Sequence, residues 1–345
     1  TQEMIRSVIR TEKPDAIWIM TDPRFWGWLW QIENEVRPLL PIIYYHVWDN
    51  YPYPRFNRKY YISNDAIATI SKVSDDIVAT VAPEVKRKYI PHAVDQESFK
   101  PYTLEQIETI RKDSLQEEDR EKVIFFWNNR NARRKQPGTL IYWFVEWIEK
   151  NNLKDKAMLI MHTDVKDPHG QDLQHIIEEL GATNREVMFS TQKVPPNQLA
   201  ALYNIADCTI NISDAEGFGL ATLESLACGT PIIATMTGGL QEQVTDGTEF
   251  FGVGLMPTSK SVIGSQDVPY IYEDRIDKGQ FLSALSKIYY CSAEARREMG
   301  LKGIEHVKNN YSFENYGKSW IKFMDEVIEE NGSWETRKNY SGIRF

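Results

Sequence analysis

Two glutamates near the middle of the chain, Glu216 and Glu224, stand eight residues apart around a turn that is flanked by glycines. The apolar run 208–212 before them predicts a buried strand, and the leucines after Gly219 recur at helical spacing. The glycines therefore lie between a strand and a helix, where backbone N–H groups and the positive helix end can bind an anion. Glu224 is expected roughly 12 Å beyond Glu216. That span suits an elongated ligand with hydroxyl groups at both ends and an anion between them, such as a nucleotide-sugar.

The spacing of the two glutamates alone leaves other interpretations open. Strand–turn–helix units with glycine are common, and two glutamates at this distance also arise by chance. A glycosidase pair of acid and nucleophile is rejected, because such carboxylates lie only about 5–9.5 Å apart.

Bulk composition indicates an ordinary globular protein of two domains. The chain has 345 residues, of which 42% are hydrophobic and 12% aromatic. Its net charge of −9 argues against nucleic-acid binding as the main task. The three cysteines are scattered without metal-ligand spacing, and we predict no metal site and no cofactor. We find no membrane-spanning run and no signal peptide, so a cytoplasmic location is expected.

The full string around the glutamates is far more specific than their spacing. It runs from Asp214 through Glu216-Gly-Phe-Gly and Glu224 to Cys228-Gly-Thr-Pro, and Gly238-Gly-Leu-Gln-Glu follows. This string resembles the signature of retaining glycosyltransferases of family 4. The resemblance covers about 40–345 and is strongest over 122–247.

The resemblance implies an α/β fold of the GT-B type, with two facing Rossmann-like domains built on parallel sheets. The pattern of apolar runs and breakers agrees with it. The predicted strands are 16–20, 42–46, 67–71, 88–91, 122–127, 157–161, 187–190 and 208–212. The predicted helices include 137–150, 171–180, 196–205, 278–290, 293–308 and 313–330.

The expected division is a partial N-terminal domain over 1–118 and a nucleotide-sugar-binding domain over 119–312. A C-terminal helix and tail over 313–345 would cross back to the first domain. The glycine-rich loop that opens the family's first domain is not found, so we expect the N-terminal domain to be incomplete.

The resemblance assigns the donor's diphosphate to Arg130 and Lys135, two cations five residues apart after the strand 122–127. Fixed cations facing a departing nucleoside diphosphate would lower the barrier to bond breaking. Arg133 and Arg134 lie between them, and the sequence does not rank the four cations. A solvated basic turn is the alternative interpretation.

The resemblance also assigns the glutamates. Glu216 would contact the donor sugar, and Glu224 would bind the ribose hydroxyl groups. The other predicted donor-binding residues are Gly217, Phe218, Gly219 and Leu220.

Three polar side chains lie at or just after the ends of predicted strands in the first domain. The resemblance makes His46 a catalytic residue that faces the donor sugar, although a strand-end histidine bonded to the backbone is the alternative. Asp22 and Asp49 stand at neighbouring strand ends, where ligands of parallel sheets gather, and are predicted on the acceptor side.

We therefore expect a retaining, metal-independent glycosyltransferase that uses a nucleotide-sugar as donor and a glycan, lipid or other hydroxyl acceptor. A lipid acceptor would add peripheral contact with the inner face of a membrane. The main alternative is a non-catalytic nucleotide-sugar-binding GT-B module or partner subunit. A nucleotide-sugar epimerase of the same architecture fits the signature less well.

Overall fold

A computed structural model of the chain describes residues 1–48 and 50–340. The strands are β1 Ile17–Thr21, β2 Ile42–His46, β3 Ala66–Thr69, β4 Lys86–Tyr89, β5 Val123–Asn128, β6 Ala157–His162, β7 Val187–Ser190, β8 Cys208–Asn211, β9 Ile232–Thr235, β10 Gly252–Leu255, β11 Ser259–Ile263 and β12 Ile271–Arg275. The α-helices are α1 Gln2–Glu12, α2 Pro23–Trp30, α3 Glu33–Val36, α4 Arg58–Tyr61, α5 Lys72–Val81, α6 Leu104–Ser114, α7 Pro137–Asn151, α8 Leu173–Glu179, α9 Pro196–Ile205, α10 Leu220–Ala227, α11 Leu240–Val244, α12 Lys278–Tyr290, α13 Ala293–Asn310 and α14 Phe313–Asn331.

The chain divides into two compact units. Unit 1 holds the described residues within 1–92, 262–273 and those from 314 onward. Unit 2 holds 93–261 and 274–313. The predicted α/β class with parallel sheets is confirmed, and each unit has a parallel sheet of its own.

Unit 1 is built on a four-stranded sheet in the order β1-β2-β3-β4, in which every neighbouring pair is parallel. All residues of β2 and β3 are buried, as expected for strands with both faces covered. Alternating burial along β1 places Ile17 and Ile19 in the core with Tyr44. On the opposite face of β1, Trp18 packs edge-to-face against Trp320 of α14.

Unit 2 contains a six-stranded parallel sheet in the order β10-β9-β8-β5-β6-β7. The chain starts this sheet at β5, proceeds outward through β6 and β7, and then returns to the other side of β5 with β8. Strands β5 and β8 are therefore neighbours, with Phe125 paired to Cys208. Such a reversal of strand order opens a crevice at the carboxyl ends of the two strands, where open α/β sheets bind their ligands.

Residues 93–118, which the sequence assigns to the first domain, pack within unit 2. The Arg111 guanidinium of α6 donates to the Ile205 carbonyl oxygen at 3.1 Å and pairs with Asp207 at 2.9 Å. These partners are far from Arg111 in sequence, so no local pattern reveals the contact.

The segment after α14 packs within unit 1. The indole N–H of Trp334 donates to the Pro14 carbonyl oxygen at 3.0 Å. The backbone N–H of Trp334 donates to the Leu39 carbonyl oxygen at 2.6 Å. A short 3-10 turn, Trp334–Thr336, lies within the predicted tail.

Candidate functional site

The loops that follow β5 and β8 lie side by side at the carboxyl ends of these neighbouring strands. The backbone N–H of Asp214, after β8, donates to the carbonyl oxygen of Arg134, after β5, at 2.8 Å. The basic loop and the loop with the first glutamate, which the sequence selected independently, are thus joined at the switch point of the sheet.

Lys135 and Glu216 are in direct contact between these two loops. The Lys135 ammonium donates to Glu216 Oε2, and both residues are buried. Burial raises the pKa of the Glu216 carboxyl, but the charges of Lys135 and Arg134 outweigh burial and hold that pKa below its ordinary value. Arg134 contributes from 3.9 Å and also donates to the carbonyl oxygen of Ala215. Glu216 is therefore an ionised carboxylate held by two cations.

Asp214 is a second buried carboxylate in the same crevice. It accepts a hydrogen bond from Gln136 at 2.6 Å and pairs with Arg275 at 3.0 Å. Arg133 stands at 4.0 Å, with 63% of its side chain exposed. The β5 loop thus meets both carboxylates of the β8 loop.

Arg130 has a different partner from Lys135. Its guanidinium forms a two-pronged pair with the Asp167 carboxylate, with N–O distances of 2.7 and 3.0 Å. Hydrogen bonding from Arg130 lowers the pKa of Asp167 to about 2. The structure therefore brings Lys135 and Glu216 together, whereas Arg130 is held by the loop after β6.

The glycines of the signature allow two loops to pack backbone against backbone. A Cβ atom on Gly238 would stand 1.8 Å from the Glu216 carbonyl oxygen, and one on Gly239 would stand 2.7 Å from Phe218 Cα. Gly219 has a φ of +91° and is the N-cap of α10. Because glycine has no side chain to cap the helix, the first-turn N–H groups receive no hydrogen bond from an N-cap side chain.

The other predicted donor-binding residues of this turn differ in exposure. Phe218 is buried and packs edge-to-face against Tyr311, and its carbonyl oxygen accepts a hydrogen bond from Gln243 at 2.7 Å. Leu220, at the start of α10, is 47% exposed, and Gly217 is partly buried. Phe218 therefore anchors the turn, and its backbone neighbours are the groups that a ligand can reach.

Glu224 lies on α10 at the end of a chain of hydrogen bonds. The Tyr203 hydroxyl donates to Glu224 Oε2 at 2.8 Å, and Asn128 Nδ2 contacts the Tyr203 oxygen at 2.8 Å. Burial raises the pKa of Glu224 to about 7, although the hydrogen bond from Tyr203 lowers it. Sequence reasoning missed Asn128 and Tyr203, because they come from β5 and α9.

In unit 1, His46 is fully buried at the end of β2. Its Nε2 shares a hydrogen bond of 2.7 Å with the Tyr61 hydroxyl, and burial lowers its pKa to about 3. The ring is therefore neutral at pH 7 and in the interior of unit 1. Asp22 caps α2, accepting from the Arg24 backbone at 2.9 Å and from its guanidinium at 2.8 Å. Asp49 lies outside the described residues.

Within residues 1–48 and 50–340, both metal-binding clusters and membrane-spanning helices are absent. Neither unit has, in that range, a group of three or more His, Cys, Asp or Glu side chains arranged to hold a metal ion. In the same range no helix is both long enough and apolar enough to cross a membrane.

Comparison of the sequence with known families gives a match in unit 2. The family described as glycosyl transferases group 1 matches residues 106–260, just under half of the chain. The D-inositol 3-phosphate glycosyltransferase of Corynebacterium jeikeium is 33% identical over 183 residues, which are 52% of this chain and 43% of that protein. The enzyme of the same name from Nocardia farcinica is 34% identical over 217 residues, 61% of this chain and 40% of its own length. The aligned part spans less than half the length of these curated relatives.

Solved structures resemble nearly the whole chain. Sucrose-phosphate synthase of Thermosynechococcus elongatus has a TM-score of 0.74 at 19% identity, covering 95% of this chain and 77% of that one. HepE of Anabaena, in complex with UDP and glucose, has a TM-score of 0.71 at 14% identity, covering 94% and 81%. At these identities the likeness concerns the fold, and the predicted GT-B class is confirmed.

Proposed function

We propose, since residues 106–260 match the family described as glycosyl transferases group 1, that this protein moves a sugar from a nucleoside-diphosphate-sugar to a hydroxyl group of an acceptor. One observation carries the proposal. The cationic loop after β5 and the carboxylate loop after β8 meet at the switch point of the unit 2 sheet, next to the uncapped start of α10. A ligand there faces fixed cations, helix N–H groups and carboxylates within one crevice.

The cations and the helix start suit the diphosphate. Lys135 and Arg134 hold Glu216 from the β5 loop, and the first turn of α10 adds backbone N–H groups. Negative charge grows on the leaving diphosphate as the glycosidic bond breaks, so prearranged positive charge stabilises the transition state more than the ground state. Arg130 is the further cation of this proposal, with an exposed guanidinium beside the crevice loops.

The two glutamates suit the hydroxyl groups at the ends of the donor. Glu216 would orient the transferred sugar, and Glu224 would accept hydrogen bonds from the ribose hydroxyl groups. In the transfer, the acceptor oxygen forms the new bond to the anomeric carbon. The bond from that carbon to the phosphate oxygen breaks, and the departing nucleoside diphosphate keeps the electron pair and takes the acceptor's proton. The signature around Glu216 supports transfer with retention of configuration and without a metal.

The comparisons suggest which substrates to test first. The HepE structure holds UDP and glucose, so UDP-glucose is the first donor to examine. The curated relatives are named for D-inositol 3-phosphate, which makes a phosphorylated polyol the first acceptor.

A non-catalytic nucleotide-sugar-binding role is the second candidate, and one observation favours it. His46, the histidine expected to face the donor sugar, has no exposed surface in unit 1.

A screen of donors tests both candidates. The melting temperature would be measured with UDP, GDP, ADP and their glucose conjugates, because a ligand at 100 times its Kd stabilises a protein by about 2.7 kcal/mol. Release of the nucleoside diphosphate from the best donor, with and without acceptor, then separates an enzyme from a binding module. The proposal is overturned if no nucleotide shifts the melting temperature. Binding without transfer to any acceptor supports the non-catalytic role.

A further inference from the structure

Glu224 is held by two residues that neither the sequence motif nor the family match singles out. Tyr203 comes from α9, Asn128 from the last position of β5, and Glu224 from the second turn of α10. Three separate elements of unit 2 are therefore linked in one chain of hydrogen bonds, in which Asn128 contacts Tyr203 and Tyr203 contacts Glu224, each at 2.8 Å.

The direction of these hydrogen bonds follows from the chemistry of the three groups. A tyrosine hydroxyl has one proton, and an ionised carboxylate can only accept. Because Asn128 Nδ2 donates to the Tyr203 oxygen, the single hydroxyl proton is left for Glu224 Oε2. In the described part of the chain, Glu224 Oε1 accepts no hydrogen bond, so this oxygen and the remaining lone pair of Oε2 can accept from a ligand.

The tyrosine that makes this contact is closely packed. Tyr203 is fully buried, and its ring packs edge-to-face against Phe126 at 5.1 Å and against Phe99 at 6.1 Å. A buried ring packed against two aromatic neighbours can hold its hydroxyl oxygen in one place. The Glu224 side chain then loses its conformational entropy when the protein folds, so ligand binding does not have to order it.

We propose that Tyr203 and Asn128 are positioning residues that hold the Glu224 carboxylate in the orientation that accepts the two ribose hydroxyl groups. The inference rests on the proposed function, in which Glu224 contacts the ribose of the donor. It goes further by naming the residues through which the fold sets the geometry of that contact and makes the site select ribonucleotides.

The ribose itself supplies the test. Affinity would be measured by titration calorimetry for the diphosphate among UDP, GDP and ADP that binds most tightly, and for its 2′,3′-dideoxy analogue. The wild type should prefer the ribonucleotide on the order of 10–100-fold, the range expected for hydrogen bonds to a charged group. In Tyr203→Phe that preference should fall to about threefold or less, since the carboxylate loses the hydrogen bond that orients it.

Matched controls separate positioning from general stability. Tyr45→Phe removes another buried hydroxyl, which donates to the Ile90 carbonyl oxygen in unit 1, and should leave the preference unchanged. Asn128→Ala keeps the Tyr203 hydroxyl but no longer directs its proton, so a smaller loss of preference is expected. It also serves as the second variant if Tyr203→Phe does not fold.

Each outcome has a distinct meaning. Absence of binding by any nucleoside diphosphate in the wild type overturns the proposed function itself. A wild-type preference that survives both Tyr203→Phe and Asn128→Ala leaves the proposed function standing and overturns the positioning role. A preference that collapses in these variants and persists in Tyr45→Phe supports the inference.

Discussion

Lys135 and Glu216 form an ion pair in the interior of unit 2, with 10% of each side chain exposed. The pair joins the loops of two neighbouring strands, β5 and β8, at the point where the order of the sheet reverses. Each charge depends on the other, because removing one partner takes the nearest opposite charge away from a buried group. The same two residues are the proposed contacts to the diphosphate and to the sugar, so stability and activity are expected to be linked there.

Lys135→Met should destabilise the protein by up to about 3–5 kcal/mol, because the buried Glu216 carboxylate loses its closest cation and keeps only Arg134 at 3.9 Å. The double variant Lys135→Met/Glu216→Gln should recover most of that loss while remaining inactive. Urea unfolding would measure both. Lys150→Met removes an exposed ion pair with Glu146 and should change the free energy of unfolding by only about 0–1 kcal/mol. A double variant no more stable than the single one would contradict the role of the pair.

Glu216→Gln should keep the affinity for the free nucleoside diphosphate nearly intact and lower kcat. The reason is that the proposed contact is to the sugar, which the free diphosphate lacks. Calorimetry with the diphosphate and steady-state kinetics with the donor would be compared. If both quantities fell to the same extent, the assignment to the sugar would be wrong.

Arg130→Ala should lower kcat by about 10²-fold with a smaller effect on KM, the pattern of an interaction that strengthens in the transition state. Asp167→Asn keeps the arginine and removes the charge of its partner, so it should retain most activity. Lys154→Ala, on a surface pair with Glu149, is the control for a general loss of positive charge. Near-normal kinetics for Arg130→Ala would show that Arg130 is an exposed loop residue that does not stabilise the leaving diphosphate.

Nucleoside diphosphate affinity should rise with pH through about 7, the pKa of Glu224. Below that pH the carboxyl is protonated and loses acceptor capacity for the ribose hydroxyl groups, and above it the ionised form binds. The titratable groups that act on it, Tyr203 and Cys228, are neutral near pH 7 because burial raises the pKa of both. Calorimetry from pH 6 to 8.5 measures the effect. In Glu224→Gln the rise in affinity due to this carboxyl should be absent, and only the pH dependence due to the phosphates of the ligand should remain. A pH profile equal to that of the wild type would disprove the role of Glu224.

The contribution of the Glu224 carboxyl to the free energy of unfolding should fall as pH rises, whereas its contribution to nucleotide affinity rises. The folded protein holds the Glu224 proton up to a higher pH than the unfolded chain does, so this group contributes stability at low pH that is lost as pH rises through about 7. Glu224→Gln should therefore raise the free energy of unfolding at pH 8 by about 1–3 kcal/mol and by less at pH 5. Thermal unfolding at the two pH values would show it, and equal effects at both would count against it.

The fold was largely predictable where the sequence has clear breakers. The helices Pro196–Ile205 and Lys278–Tyr290 and the strand Val187–Ser190 agree with their predicted bounds. Apolar runs between proline, glycine or charged residues limit such elements to few alternatives. The sequence also predicted the positions of the loop with Lys135 and of the turn with Glu216, because each directly follows a strand.

Contacts between distant elements were not predictable in the same way. Asp167 is 37 residues beyond Arg130, and Tyr203 is 75 residues beyond Asn128. No periodicity encodes these pairs, since they depend on which strands become neighbours in the sheet. The burial of His46 was missed for a related reason, because the aromatic shell of Tyr44 and Tyr61 comes from packing within unit 1.

Gly238 lies so close to the Glu216 carbonyl oxygen that few substitutions of this signature glycine can be accepted during evolution. Any side chain at Gly238 would collide with backbone, so the glycine pair is required by the fold whether or not chemistry takes place. A descendant that had lost catalysis would have to keep these glycines while its charged residues drifted. Lys135, Glu216 and Glu224 are therefore the positions that would distinguish an active paralogue from an inactive one.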